Sequence, residues 1–377
     1  MGMPLSSNPF KIHPRFLPNN IRLKTTSLNQ SLGPVVRIGK KDYLFFSGTS
    51  YLGMEADRHY EEVLQDCIRQ YGANHGLSRI NNVRLKVFDE FEKFFAKNAK
   101  AEAAAVMSSG FLAGIAASQW LFPKADTCWI APDTHPAILP LGLQIDSSIN
   151  FETWKKKCLE QSEVLSSRKI LILGNTVDPL RAEIHEYAWV KELAKKHEVT
   201  LLLDESHAFG VLGKSLFGTY AEQQYPQVNL VVSGSLGKGL AMPAGIILAK
   251  EEVIEGIKSQ SIFIGASPCS PANLQAFLET QDIYRAQSQK IRDFSGIFNQ
   301  ETMDLSTLIG SPNFPVFILK NPSWSIDLER MGIITSSFSY PTAESPIISR
   351  IVLSAFHSLL DLGALNGALR NLSNQHS

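Results

Sequence analysis

Between residues 103 and 249, short apolar runs alternate with stretches of helical periodicity, and this alternation limits the fold more than any other feature of the chain. AAAVM is followed by LAGIAASQWLF, and KILILG by AWVKELAKKHE; VTLLLD, LVVSGS and AGIILA complete the series. Short apolar runs without polar alternation read as strands buried on both faces, and joined through helices they give a mainly parallel sheet covered on both sides. The sequence therefore predicts an α/β fold of three layers. At 377 residues the chain exceeds what one hydrophobic core usually serves. We expect an extended arm over residues 1–42, a large domain over 43–268 and a smaller C-terminal α+β domain over 269–377, beginning where SPCSPAN breaks the alternation. Two helices are expected between His59 and Ala99, with the loop ANHGLSR between them.

Charge and cysteine usage narrow the function. Lys plus Arg and Asp plus Glu each number 36, and without a basic block to neutralise phosphates, nucleic acid is excluded as the expected partner. Cys67, Cys128, Cys158 and Cys269 are scattered, without the spacing of a zinc site or the density of a disulfide scaffold. No metal is expected, and a reducing compartment, the cytoplasm, fits best. No run approaches the roughly 18 apolar residues of a membrane span, so no membrane anchor is expected.

In open parallel sheets ligands sit beyond the carboxyl ends of the strands, so polar residues just after the apolar runs are the candidates. SSGFLAG (108–114) places Ser109, Gly110 and Phe111 at a strand-to-helix turn, where first-turn amides and the helix dipole favour an anion. The same pattern also suits a plain helix cap. DESHAFG puts Asp204 and His207 past a strand end, and PDTHPA puts His135 past another. Each of these three, taken alone, is more readily structural than catalytic. In VVSGSLGKGLA, Lys238 follows an apolar run, but a Walker A loop fails there because Val232 holds the first glycine position and Gly239 the last. Lys238 is either a solvated loop residue or an amine with few waters around it, whose lowered pKa suits imine chemistry. Together these residues meet the needs of pyridoxal phosphate: Lys238 for the imine, Asp204 for the pyridine nitrogen, Ser109, Gly110, Phe111 and Ser235 for the phosphate, and His135 to cover the ring.

From about Tyr43 to His357 the motifs run in the order of a known family, and the chain resembles the α-oxoamine synthases, pyridoxal phosphate enzymes of the aspartate aminotransferase-like fold. TSYLGM is similar to N-D-Y-L-G-L, ANHGLSR to G-S-G-G-S-R, SSGFLAG to S-S-G-Y-A-A-N, DESHAFGVLG to D-D-A-H-G-x-G-V-L-G, and GSLGKGLAMPAG to G-T-F-S-K-A-L-G-x-x-G-G. The resemblance implies that Lys238 forms the imine, Asp204 pairs with the pyridine nitrogen, and His207 lies near the phenolic oxygen. It further implies that His135 stacks on the ring, that Gly110, Phe111 and Thr176 contact the cofactor, and that Ser235 binds its phosphate. Ser267 matches a residue that reaches the neighbouring subunit's phosphate, implying a homodimer with the site at the subunit interface. Arg350 matches the arginine that holds the amino-acid carboxylate, Thr342 sits near a substrate threonine, and Arg22 is a candidate substrate contact. Thr49 replaces the motif asparagine, Val83 and Phe88 stand where a glycine and a histidine are usual, and the Asp178 region lacks the following G-D.

The implied reaction is the decarboxylative condensation of an amino acid, alanine first, with an acyl-CoA or acyl carrier protein thioester. Glycine C-acetyltransfer and sphingolipid-type long-chain condensation are alternatives within the family. A class II aminotransferase and a non-catalytic cofactor-binding protein are alternatives outside it.

Overall fold

The computed structural model describes residues 26–340 and 345–375. Strands β1 (Val35–Ile38) and β2 (Lys41–Phe46) form a hairpin, and α1 (Arg58–Tyr71) begins where the Asp57 side chain accepts the Tyr60 amide. It stops at Gly72, whose φ of +77° breaks the helix. Then come α2 (Lys86–Ala99), β3 (Ala103–Met107), α3 (Gly110–Leu121), β4 (Thr127–Ile130), α4 (Phe151–Val164) and β5 (Lys169–Asn175). A small pair, β6 (Val177–Asp178) with β7 (Glu183–Ile184), precedes α5 (Val190–Ala194), β8 (Glu198–Asp204), β9 (Val228–Ser235) and β10 (Gly245–Ala249). Helices α6 (Glu251–Lys258), α7 (Ser261–Ile264), α8 (Pro271–Glu279) and α9 (Gln281–Thr302) lead into β11 (Leu308–Ser311) and β12 (Phe314–Leu319). The last elements are α10 (Trp324–Arg330), β13 (Ile333–Ser339), β14 (Ile347–Val352) and α11 (Leu359–Gln375).

The large sheet has the order β3-β10-β9-β8-β5-β4. Neighbours among β9, β8, β5 and β4 are parallel, while β10 is antiparallel to both β3 and β9. Leu171, Leu173, Leu202, Val231 and Ile247 face one way, onto Ala113, Ala116 and Ala117 of α3 and the apolar side of α6. Ile172, Leu201, Leu203, Val232 and Ile246 face the other way, into a cluster with Phe91, Phe95 and Phe277. Successive residues thus bury on opposite sides, which is why these strands read as unbroken apolar runs. The expected three-layer α/β architecture is present.

The second sheet runs β1-β2-β13-β14-β12-β11, and β2 lies parallel to β13 with Leu44 opposite Ile333. The expected boundary at residue 43 is therefore displaced: residues 35–46 belong to the sheet of the C-terminal unit, not to an arm and the start of the large domain. That pairing joins segments at opposite ends of the chain, and local periodicity carries no signal of such a contact. Tyr51, Val177 and Ala208 pack with Phe314, Val316 and Val352, fastening the second sheet against the carboxyl ends of the large one. Among the described residues, no helix is long and apolar enough to cross a membrane.

Candidate active site

Asp204 ends β8, in register with Asn175 of β5 and Ser233 of β9. It is 5% exposed. Its Oδ1 accepts the Ser206 amide at 2.9 Å, while its Oδ2 is buried with no hydrogen-bond partner among the described residues. His135 Nδ1 is 3.9 Å from that oxygen. A buried carboxylate oxygen left in this state is costly unless a cationic donor meets it.

Lys238 follows β9 in the turn that leads to β10, and it is partly buried. Loss of water around the amine lowers its pKa to about 8, with Asp204 opposing and Arg350 assisting that shift. Its Nζ lies 2.7 Å from His207 Nε2, and His207 Nδ1 lies 2.7 Å from the Tyr51 hydroxyl. Desolvation, then Lys238, Arg350 and His135, hold the His207 pKa well below its ordinary value. A neutral His207 that accepts from Lys238 at Nε2 carries its proton at Nδ1 and donates it to the Tyr51 oxygen. Gly239 after the lysine is needed for packing, because a Cβ there would stand 2.2 Å from the Phe209 carbonyl oxygen.

Ser109 caps α3, its Oγ accepting the Leu112 amide at 3.2 Å. The first amides of the helix, from Gly110 and Phe111, have no intrahelical acceptor and point outward beside Ser235. A Cβ on Gly110 would come within 2.4 Å of Ser235 Cα, so only glycine lets helix and strand end approach this closely. The Ser235 amide donates to Ser206 Oγ at 2.8 Å, and Ser235 Oγ accepts the Gly237 amide at 3.1 Å. His135 stands above this edge, its ring 6.4 Å from that of Phe111. Burial pulls its pKa down, against Asp204 and with Lys238. Arg350, on β14, is 6% exposed, donates from Nη1 to the Pro179 carbonyl at 3.0 Å, and lies over the Phe338 ring. Its buried Nε has no partner among the described residues.

The sequence-predicted residues do not all converge. Lys238, His207, Asp204, His135 and Arg350 act on one another electrostatically, and Ser109, Gly110, Phe111 and Ser235 form the cradle beside them. Thr176 is buried one residue past β5, but its hydroxyl donates to Glu205 at 3.3 Å. Ser267 is exposed between α7 and α8. Arg22 and Thr342 lie outside the described residues. Three residues at this edge were not singled out from the sequence: Tyr51 behind His207, Glu205 behind Thr176, and Asn175 beneath His135. Glu205 and Asn175 carry the signal that found Asp204, a polar residue where an apolar run ends.

The set fits pyridoxal phosphate. The unpartnered Asp204 oxygen suits a protonated ring nitrogen, the cradle of α3 suits a phosphate, and the Lys238 amine suits the covalent link.

Comparison with known proteins agrees with this geometry. The model of the family described as aminotransferase class I and II matches residues 41–362. The 8-amino-7-oxononanoate synthase of Petrotoga mobilis is 28% identical over 354 residues, covering 89% of this chain and 90% of that one. That of Fervidobacterium nodosum is 25% identical with the same coverage. Among solved structures, a serine palmitoyltransferase from S. paucimobilis superposes with a TM-score of 0.76 at 16% identity, covering 93% of this chain and 92% of its own. The 8-amino-7-oxononanoate synthase of Francisella tularensis gives 0.65 at 21%, covering 89% and 99%. These two likenesses speak for the fold. The chain belongs to the aminotransferase class I and II family, as a pyridoxal phosphate-dependent acyltransferase of its α-oxoamine synthase branch.

Proposed function

We propose that this enzyme condenses alanine with an acyl thioester, carried by coenzyme A or acyl carrier protein, as an 8-amino-7-oxononanoate synthase does. One carbon–carbon bond forms, and the thiol and the amino acid's carboxylate, as carbon dioxide, leave. The names of the relatives support this branch over glycine C-acetyltransfer and long-chain sphingoid condensation. The observation that carries it is the lysine amine at 2.7 Å from an uncharged histidine, close to a buried carboxylate oxygen with no partner of its own.

Bound pyridoxal phosphate supplies the electron sink that takes up negative charge when the α-proton leaves. The residues of the chain do the rest. Lys238 holds the cofactor covalently in the resting enzyme and is the base that receives the α-proton at Nζ, for which a pKa of about 8 is well matched. Asp204 Oδ2 would pair with the ring nitrogen and favour its protonated form, and His135 would cover the ring. His207 accepts at Nε2 and is kept in that tautomer by Tyr51. Arg350 grips the substrate carboxylate with the donors its own fold leaves free, until that group departs. Ser109, Gly110, Phe111 and Ser235 would hold the phosphate, and Thr176 would be a further contact to the cofactor. We place the enzyme in the cytoplasm as a homodimer, with Ser267 reaching the partner's phosphate and Arg22 and Thr342 serving the substrate.

Borohydride treatment of the holoenzyme is expected to fix the cofactor to the peptide containing Lys238, and Lys238→Ala protein is expected to take no label. Alanine, glycine and serine are then offered with a panel of acyl-CoAs and acyl carrier proteins while free thiol and carbon dioxide are measured. Alanine-dependent release of both is expected. Amino-group exchange with a keto acid and no thiol release would make the protein an aminotransferase, and silence in both assays would make it a non-catalytic binder.

A further inference from the structure

His135 stands in a loop, not on a strand or helix, and its ring needs something to hold it. Its amide donates to Asn175 Oδ1 at 3.0 Å, and its ring Nδ1 accepts the Ala137 amide at 3.2 Å. Asn175 is 6% exposed and lies beside Asp204 across the sheet. Its Nδ2 donates to the Asp133 carbonyl and, at 3.4 Å, to Asp133 Oδ2. The same Oδ2 meets His185 Nε2 at 2.8 Å, with side-chain exposures of 6% and 5%. The Phe151 ring stacks on His185 at 4.0 Å with 7° between the planes. The Tyr187 hydroxyl donates to the carbonyl of Asn175 at 3.0 Å. Gly174 makes room for that contact, since a Cβ there would lie 2.0 Å from the tyrosine oxygen.

No step of the reaction uses Asn175, Asp133 or His185, yet their polar groups are buried together directly beneath the loop of His135. We propose that Asn175 is a positioning residue for His135: its amide, oriented by the Asp133–His185 pair, fixes the loop so that the imidazole covers the cofactor ring. The proposal rests on the role given to His135 under Proposed function. A carboxamide is required because the site needs an acceptor for the His135 amide and a donor for Asp133 in one short side chain. Aspartate in its place would turn two carboxylates toward each other. Leucine would leave the His135 amide and the Asp133 carbonyl unpaired.

The test is a double-mutant cycle read as the dissociation constant of pyridoxal phosphate from apoprotein, for wild type, Asn175→Leu, His135→Ala and the double variant, with thermal unfolding of each apoprotein alongside. Asn175→Leu is expected to weaken binding about tenfold in the wild-type background, and by less than about twofold once the His135 ring is gone. Equal weakening in both backgrounds, accompanied by a lower unfolding temperature, would mean a purely structural asparagine and overturns the proposal. Unchanged affinity in Asn175→Leu overturns it as well. If His135→Ala alone leaves affinity unchanged, the role of His135 falls and the proposal with it. Where Asn175→Leu does not fold, Asn175→Ala, which introduces no bulk and can neither accept nor donate, carries the same cycle to the same outcomes.

Discussion

Two buried carboxylates, Glu92 and Asp204, have the same exposure within a percentage point, 4% and 5%, and opposite surroundings. Glu92 on α2 is saturated. Its Oε1 accepts Arg79 Nη1 at 3.0 Å and the Val106 amide at 2.9 Å, and its Oε2 accepts Lys258 Nζ at 2.6 Å. It ties α2, the 73–85 loop and α6 to β3, and both of its oxygens are met by donors of the fold itself. Asp204 has one oxygen satisfied by its own loop and the other without a hydrogen-bond partner among the described residues. The difference separates a carboxylate whose partners are built into the fold from one left open for the cofactor contact proposed above. Burial alone distinguishes neither.

Exchanging the charges for amides should split the two sites most widely. Asp204→Asn keeps an acceptor for the Ser206 amide, so the apoprotein is expected to melt at or above the wild-type temperature. Thiol release should fall by at least about 10²-fold, because the ring nitrogen loses its ion pair. Glu92→Gln should do the reverse. The largely buried Arg79 loses its close counter-ion and Lys258 faces an amide, at a cost of about 3 kcal/mol in stability, with activity per folded molecule unchanged. Paired chemical denaturation and steady-state assays decide the matter, and an Asp204→Asn apoprotein that unfolds as early as Glu92→Gln would erase the distinction.

Arg350 extends the contrast to cations. Arg79 has both Glu92 and, at 3.7 Å, Asp89 beside it, whereas Arg350 has a carbonyl, an aromatic face and a buried Nε without a partner. Burial lowers its pKa, with Tyr51 and Asp178 opposing the shift. An arginine held this way is prepared for a carboxylate that comes and goes. Arg350→Met should raise the amino-acid KM by about 10- to 100-fold, the worth of a charged hydrogen-bond pair, and leave apoprotein stability near wild type. A change confined to the thioester KM would assign the arginine to the other substrate.

The layers of the fold and the strand ends that carry the site were legible because buried parallel strands print as continuous apolar runs and the polar residue after each run marks the ligand edge. Asp204, Lys238 and His135 were picked out as candidates in that way. The place of β2 in the second sheet was not legible, since its pairing with β13 spans most of the chain. Asn175 and Glu205 went unread for another reason. Both follow apolar runs, but what distinguishes them is a partner on a separate element, Asp133 for one and Thr219 for the other. Such pairings depend on three-dimensional register, which spacing along one segment does not encode.

Glu205 supplies the mildest test of the contrast, because it stands between the two extremes. It is fully buried next to Asp204, and its carboxylate accepts the Thr219 amide at 2.8 Å, the Thr219 hydroxyl and the Thr176 hydroxyl, with no cation in the set. Desolvation outweighs these donors and raises its pKa to about 7. A carboxyl whose pKa is raised in the native state keeps a proton there that the unfolded chain, near the ordinary value of 4.5, has already released. Its contribution to stability is therefore complete below about pH 4.5 and is lost as the pH climbs through about 7. Glu205→Gln can present its oxygen to the Thr219 amide and its NH2 to the two hydroxyls, so the network survives without a charge to bury. Urea unfolding of the apoproteins at pH 5 and pH 8 should show the variant gaining on wild type by about 2 kcal/mol between the two, the loss that the wild type alone suffers as its carboxyl ionises in the native state. Parallel pH dependence would mean that Glu205 stays ionised across the range, satisfied by three donors alone, and that a buried carboxylate in this fold needs no cation.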